Sequence, residues 1–229
     1  MAKAESNVDR LYDALRGMAA EFAFKPGERI NESALAQQLN ASRTPIREAL
    51  NRLVAEGFLT FQSGRGFFCR PLSPEAVLDL YEARVAIECE AARLACARAS
   101  DDDLAELAAW LDRIAPDYVT ATDAVRLLEM DEGFHRRIVA LSGNGELARL
   151  LDNLNDRVRY VRMIDLRAMQ RGNAARPDMM AAHRRILDAL TARDAEAAAQ
   201  AMRAHIARRR DEAAQAVREA YAQLYVPDL

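Results

Sequence analysis

The stretch Ser42–Gly57, S-R-T-P-I-R-E-A-L-N-R-L-V-A-E-G, constrains this chain more tightly than any other. Ile46, Ala49, Leu50 and Leu53 fall at i, i+3, i+4 and i+7, the apolar stripe of a packed helix. Thr44 is a candidate cap, and Pro45 suits the first helical position, where no backbone N–H is needed. Arg43, Thr44, Arg47 and Asn51 lie off the stripe, at or near the helix start. Hydroxyl and guanidinium groups there suit phosphates and the acceptor edge of guanine. Alone, the stretch also reads as an amphipathic helix with solvated arginines.

The preceding residues decide between these readings. Val8 to Phe22 is amphipathic and runs into the turn Lys25-Pro26-Gly27. A short helix over 31–39 follows, with Asn31 as cap and Leu35, Ala36 and Leu39 facing inward. The joint Asn40-Ala41-Ser42 makes these two helices a helix-turn-helix, whose second member enters the major groove. Leu59–Gln62 and Phe67–Arg70 then read as a hairpin around Ser63-Gly64-Arg65-Gly66, a wing whose arginine reaches phosphates or the minor groove.

The segment K-P-G-E-R-I-N-E-S-A-L-A-Q-Q-L-N-A-S-R-T-P-I-R-E-A-L-N-R-L-V-A-E-G-F-L closely resembles the winged reading head of GntR-type bacterial transcription regulators, and the match extends over residues 8–70. The resemblance implies that Ser42, Arg43, Thr44 and Arg47 contact double-stranded operator DNA. It places Gly64, Arg65 and Gly66 at a groove edge and Ser33 at a backbone contact.

Charge agrees with this placement. The chain carries 32 Lys and Arg against 35 Asp and Glu, so it is no general polycation. Residues 1–72 hold ten basic against eight acidic residues, whereas 42–70 hold five arginines against two glutamates. Positive charge is thus concentrated where DNA would be met. So weakly basic a head suits a homodimer. The start, Met-Ala-Lys-Ala-Glu-Ser, carries no signal core, and no apolar run reaches the length of a membrane span. Three cysteines without C-x-x-C fit a reducing cytoplasm. Cys89 and Cys96, seven apart, read as core residues, with a redox sensor as the alternative.

Beyond the linker Pro71–Glu75 only helical periodicity remains. Helices are expected at 75–98, 102–115, 120–141, 145–170, 177–191 and 194–222, packed as an antiparallel bundle. The fold class is therefore mainly α: a winged helix-turn-helix over 1–72 and an all-helical domain of six or more helices over 73–229. Arg208-Arg209-Arg210, followed by Asp211-Glu212, reads as a solvated face.

All three histidines lie in the second domain. Asp131 and His135 are four apart on one helix, among Leu127, Leu128 and Ile138. His183 belongs to a stripe with Met179, Met180, Ile186, Leu187 and Leu190, and His205 to one with Ala198, Ala201 and Met202. A single buried histidine is usually satisfied by a neighbouring carbonyl or carboxylate. Three of them with an aspartate, all facing one core, favour a shared divalent ion, and this donor set suits Zn, Ni, Fe or Mn. Arg84 lies inside the apolar stripe of Leu80, Ile87, Ala91 and Leu94. An inward guanidinium wants a carboxylate, either Glu88 one turn on or that of a small ligand. Asn155 and Arg159 are further candidates to line a ligand cavity.

D-E-G-F-H-R-R-I-V-A-L-S-G-N, A-H-R-R-I-L-D-A-L-T-A-R-D-A-E-A-A and M-R-A-H-I resemble the FCD effector domain of the FadR branch, and in particular its metal-binding, VanR-like members. The resemblance implies that Asp131, His135, His183 and His205 are metal ligands. It also implies a small carboxylic or sugar acid effector beside Arg84, and a repressor released from DNA by that effector. A metal that is structural, or is itself the signal, is the alternative. Catalysis is the remote one: Glu132 is the nearest base but projects about 100° away from Asp131.

Overall fold

The structure is a computed structural model. It describes the backbone at 7–121, 123–171 and 177–225, and side chains there except at 119, 168–171, 177–179, 209, 211, 212, 214, 215 and 219–225. Residues 1–6 and the side chains of Met179, Arg209, Asp211 and Glu212, all used above, lie outside the described residues. The chain separates into two compact units at Ser73 and Pro74.

The first unit holds α1 (Asn7–Ala20), α2 (Glu32–Gln38), α3 (Arg43–Ala55) and the strands β1 (Leu59–Gln62) and β2 (Gly66–Cys69). Its core joins Leu11 and Leu15 of α1, Leu35 of α2, the α3 stripe Ile46, Ala49, Leu50 and Leu53, and Phe58 and Phe67. Each such Leu or Phe removed from water contributes about 1.5–3 kcal/mol. Asn31 caps α2 by accepting from the Ser33 and Ala34 amides. Asn40, between α2 and α3, takes φ 49°, a left-handed turn that asparagine tolerates. The cap position of α3 is Ser42, not Thr44, and Pro45 is the third helical residue. The expectation fails by two residues because any place in the first turn spares proline its missing N–H.

The strands pair antiparallel in the register Leu59↔Cys69 to Gln62↔Gly66. Gly64 and Gly66 take φ of 72° and 93°, so the tip needs glycine. The 28–30 segment lies along the other edge of β2, with Ile30 N–H donating to Phe67 O at 2.9 Å and Cys69 N–H to Glu28 O at 2.9 Å. That pairing fixes the start of α2 against the base of the wing.

The second unit is all-helical among the described residues: α4 (Pro74–Arg98), α5 (Asp101–Thr120), α6 (Ala124–Leu141), α7 (Gly145–Arg171), α8 (Pro177–Thr191) and α9 (Ala195–Tyr225). α6 packs on α4 and α7, and α5 packs on α6 and α8. Ser100 and Asp103 form a reciprocal capping box at the start of α5. That helix does not stop at 115. It continues through Pro116 to Thr120, because burial of Tyr118 beyond the proline outweighs one lost backbone bond. Two arginines tie turns together: Arg193, at φ 57°, donates to Cys96 O, Ala99 O and Asp101, and Arg98 donates to Ser142 O. The three cysteines are buried thiols. No helix among the described residues is long and apolar enough to cross a membrane.

Candidate metal centre and nucleic-acid interface

The bundle brings Asp131, His135, His183 and His205 together. One ligand atom from each lies within 4.8 Å of all the others, and all four residues are buried. The i, i+4 spacing on α6 aims Asp131 and His135 the same way, while α8 and α9 each deliver one imidazole. His135 Nε2 is 3.1 Å from His205 Nε2 and 3.9 Å from Asp131 Oδ2. His183 Nε2 is 3.2 Å from Asp131 Oδ1, and His205 Nε2 is 4.0 Å from the same oxygen. Ligands about 2.1 Å from one six-coordinate ion stand about 3 Å apart when adjacent and about 4.2 Å when opposite. The donor set and its spacings fit a divalent ion.

The surroundings orient these donors. Glu88 accepts from His135 Nδ1, which leaves Nε2 facing the other three groups. Arg84 Nε in turn donates to Glu88 Oε1 at 2.6 Å, with both side chains at most 3% exposed. Burial raises the Glu88 pKa, but Arg84 and His135 outweigh it and hold the value at about 2. Of the two carboxylates weighed for Arg84, the structure supplies Glu88. Asp131 accepts from Tyr118 Oη at 3.2 Å and from Arg162. Burial disfavours its charge, yet Arg162 and the His183 hydrogen bond keep its pKa well below the usual carboxylate range. Arg162 also reaches Glu132 Oε1 at 3.4 Å. Glu132 itself is buried, and its Oε2 meets Arg136 at 3.5 Å and Arg159 at 3.6 Å, so it faces α7. Asn155, fully buried on α7, has no hydrogen-bond partner for either side-chain polar atom among the described residues.

Sequence reading missed Tyr118 and Arg162. Arg162 was accessible to it: Asn155, Arg159 and Arg162 fall at i, i+4 and i+7 on one helix face. Tyr118 lies beyond the helix expected over 102–115.

In the first unit, Ser42, Arg43, Thr44 and Arg47 are all exposed at the start of α3, and Ser33 is exposed on α2. Arg65 is exposed at the tip between Gly64 and Gly66, with its guanidinium 5.3 Å from the centre of the Phe68 ring. A hollow of about 340 Å³ lies beside Ser33 and Arg43, also lined by Arg29, Ile30, Asn31 and Glu32.

A winged helix-turn-helix joined to a helical bundle with a buried Asp-His cluster defines a DNA-binding regulator with a sensory half. The family model for bacterial regulatory proteins of the gntR family matches residues 7–69, and that for the FCD domain matches 79–208. The chain belongs to the GntR family of transcriptional regulators, with an FCD domain as its effector-binding half. It is 40% identical over 208 residues to the Nta operon transcriptional regulator of Aminobacter aminovorans, covering 91% of this chain and 95% of that one. It is 30% identical over 186 residues to the HTH-type transcriptional repressor GlaR of Escherichia coli (strain K12), covering 80% and 84%. Its fold is similar to that of a putative GntR regulator from Rhodococcus sp. RHA1, with a TM-score of 0.67 at 23% identity, covering 90% and 96% of the two chains. These relatives are transcriptional regulators, not enzymes.

Proposed function

We propose that the chain is a homodimeric transcriptional repressor whose operator binding is controlled by a small carboxylic or sugar acid held in the helical unit. The carrying observation is the convergence of Asp131, His135, His183 and His205 in a buried cluster oriented by Glu88, Tyr118 and Arg162. FCD domains are associated with metal binding, and these four residues would hold a divalent ion, with Zn foremost among Zn, Ni, Fe and Mn. Bound there, the ion supplies a Lewis-acidic anchor for an anionic ligand.

The chain's own residues do the rest. Arg84 has its Nε committed to Glu88, so its terminal nitrogens are assigned to the effector carboxylate. Asn155 and Arg159 line the same ligand. A buried amide without partners costs about 1–3 kcal/mol, and a bound effector removes that cost. At the other unit, Ser42, Arg43, Thr44 and Arg47 read the major groove, Ser33 holds a phosphate, and Gly64, Arg65 and Gly66 follow the groove edge. Two copies present two heads to a pseudo-palindromic site. The repressor role is supported by the 30%-identical relative whose name states it.

The test measures operator affinity by fluorescence anisotropy and effector affinity by calorimetry, before and after chelation. Loss of effector binding on chelation, with operator binding retained, supports the proposal. Effector binding that survives chelation unchanged overturns direct coordination. Operator binding that itself switches with the ion, without effector, makes the metal the signal.

A further inference from the structure

Glu32 occupies an unexpected position for an acid in a surface that meets phosphates. It is the first residue of α2, beside the start of α3 and the base of the wing. Its side chain is 12% exposed, whereas Arg47 and Arg43 stand out at 48% and 61%. Arg47 Nη1 donates to both its carboxylate oxygens, at 3.1 and 3.4 Å, and Arg43 Nη2 lies 3.8 Å from Oε2. A second contact fixes Arg47 from another side: its guanidinium lies 5.7 Å from the centre of the buried Phe67 ring on β2. The wing closes over the same place, since a Cβ built on Gly66 would stand 3.8 Å from Glu32 Oε1 and from Arg29 Nε.

We infer that Glu32 is a specificity-determining positioning residue: it anchors Arg47, and more loosely Arg43, so that both are aimed at base edges before DNA arrives. Arginine side chains carry large rotamer entropy, and a planar fork held at one corner has less left to lose on binding. Glu32 engages Nη1 of Arg47 alone. The Nε–Nη2 edge of the fork stays presented for the bidentate contact that guanine O6 and N7 accept. Recessed behind the two arginines, the carboxylate does not need to meet a phosphate. Its negative charge still opposes the backbone at long range, so it weakens binding to any duplex while sharpening binding to the right one. That opposite pair of effects distinguishes a positioning acid from a merely repulsive or merely structural one.

The inference rests on the reading of Arg43 and Arg47 as DNA contacts, and the experiment separates the two. The full-length wild-type protein is used to enrich a duplex from a library with a randomised core of about 20 base pairs, enough for two half-sites one helical turn apart. The enriched duplex and a scrambled duplex of equal composition are the probes. Anisotropy titrations at several salt concentrations are run for wild type, E32Q, R43A, R47A and E32Q/R47A, with melting temperatures to confirm folding.

Expected for E32Q is an about tenfold loss on the enriched duplex, with the scrambled duplex unchanged or bound up to about threefold more tightly. In the R47A background E32Q should cost little more, because the group it positions is gone. Equal shifts on both duplexes, tighter binding of the enriched one, or full additivity with R47A overturns the inference. Losses in R43A and R47A without one in E32Q overturn it while leaving the DNA-contact reading intact. If R43A and R47A both bind the enriched duplex like wild type, that reading falls and the inference with it. E32D, one methylene shorter, should recover part of the discrimination; a variant no better than E32Q counts against positioning.

Discussion

Arg162 offers the most informative single perturbation. Its side chain is 9% exposed and faces Asp131, at 7%, and Glu132, at 2%. Arg162→Met keeps the aliphatic stem and its packing but deletes the cation. Two buried carboxylates then share less positive charge, and stripping one partner from a buried pair costs about 3–5 kcal/mol. Arg159 and Arg136 still attend Glu132, so the larger share of the loss falls on Asp131. In a protein of this size each kcal/mol moves the melting temperature by about 2–4 °C. Chelator-treated R162M should therefore melt about 6–20 °C below wild type, followed by far-UV circular dichroism. A divalent ion restores positive charge at Asp131. In wild type it must share that carboxylate with Arg162, whereas in the variant it meets no competitor. Ion at about 100 times the wild-type Kd adds about 2.7 kcal/mol to folded wild type, and at that same concentration the tighter-binding R162M should show the larger rise. Equal ion-induced rises in the two proteins would refute the idea that guanidinium and ion compete for one carboxylate.

Other outcomes follow from the same geometry. Leu50→Ala, at a fully buried α3 site, should destabilise the first unit by about 2–5 kcal/mol in urea titrations while the bundle signal stays in place. A Cβ on Gly133 would approach Trp110 Cζ2 to 3.2 Å, so Gly133→Leu should force α5 from α6 and cost about 1–3 kcal/mol, with altered tryptophan fluorescence as the readout. Burial raises the pKa of all three cysteines, that of Cys69 to about 11, so native-state alkylation at pH 8 should be far slower than in denaturant; rapid labelling would revive the redox-sensor alternative. Burial and the Glu56 hydrogen bond push the Tyr12 phenol up to about 12. The neutral form is the one favoured by folding, so this contribution is whole below the ordinary tyrosine value near 10 and vanishes as pH rises through about 12. Wild type should lose stability over that window relative to Tyr12→Phe.

Most of the architecture was legible because helical periodicity is a local property. The α3 stripe appears in the core as read, and the bundle helices fall within a few residues of expectation, except that α5, expected to end at 115, runs on to Thr120. Proline signals an end by removing one donor, but the burial of Tyr118 is a tertiary effect that no local rule contains. The donors Asp131, His135, His183 and His205 were readable from spacing on three separate helices. Their pairings were not: the helix face of Arg162 could be read, but it meets Asp131 from 31 positions away, and Glu88 meets His135 from 47. Glu32 reads locally as a helix-start acid, and only the turn between α2 and α3 shows it gathering arginines.

The side chains of Arg98 and Arg193 carry a mechanical implication. Three turns distant in sequence, near 98–101, 142–144 and 192–194, are laced by these two guanidinium groups onto backbone carbonyls. Laced turns resist being pulled open one at a time, so this pole of the bundle should act as a fixed pivot. A probe or an added residue spliced into any of the three would be felt by the other two, and motion driven by ligand would have to be taken up elsewhere along the rods.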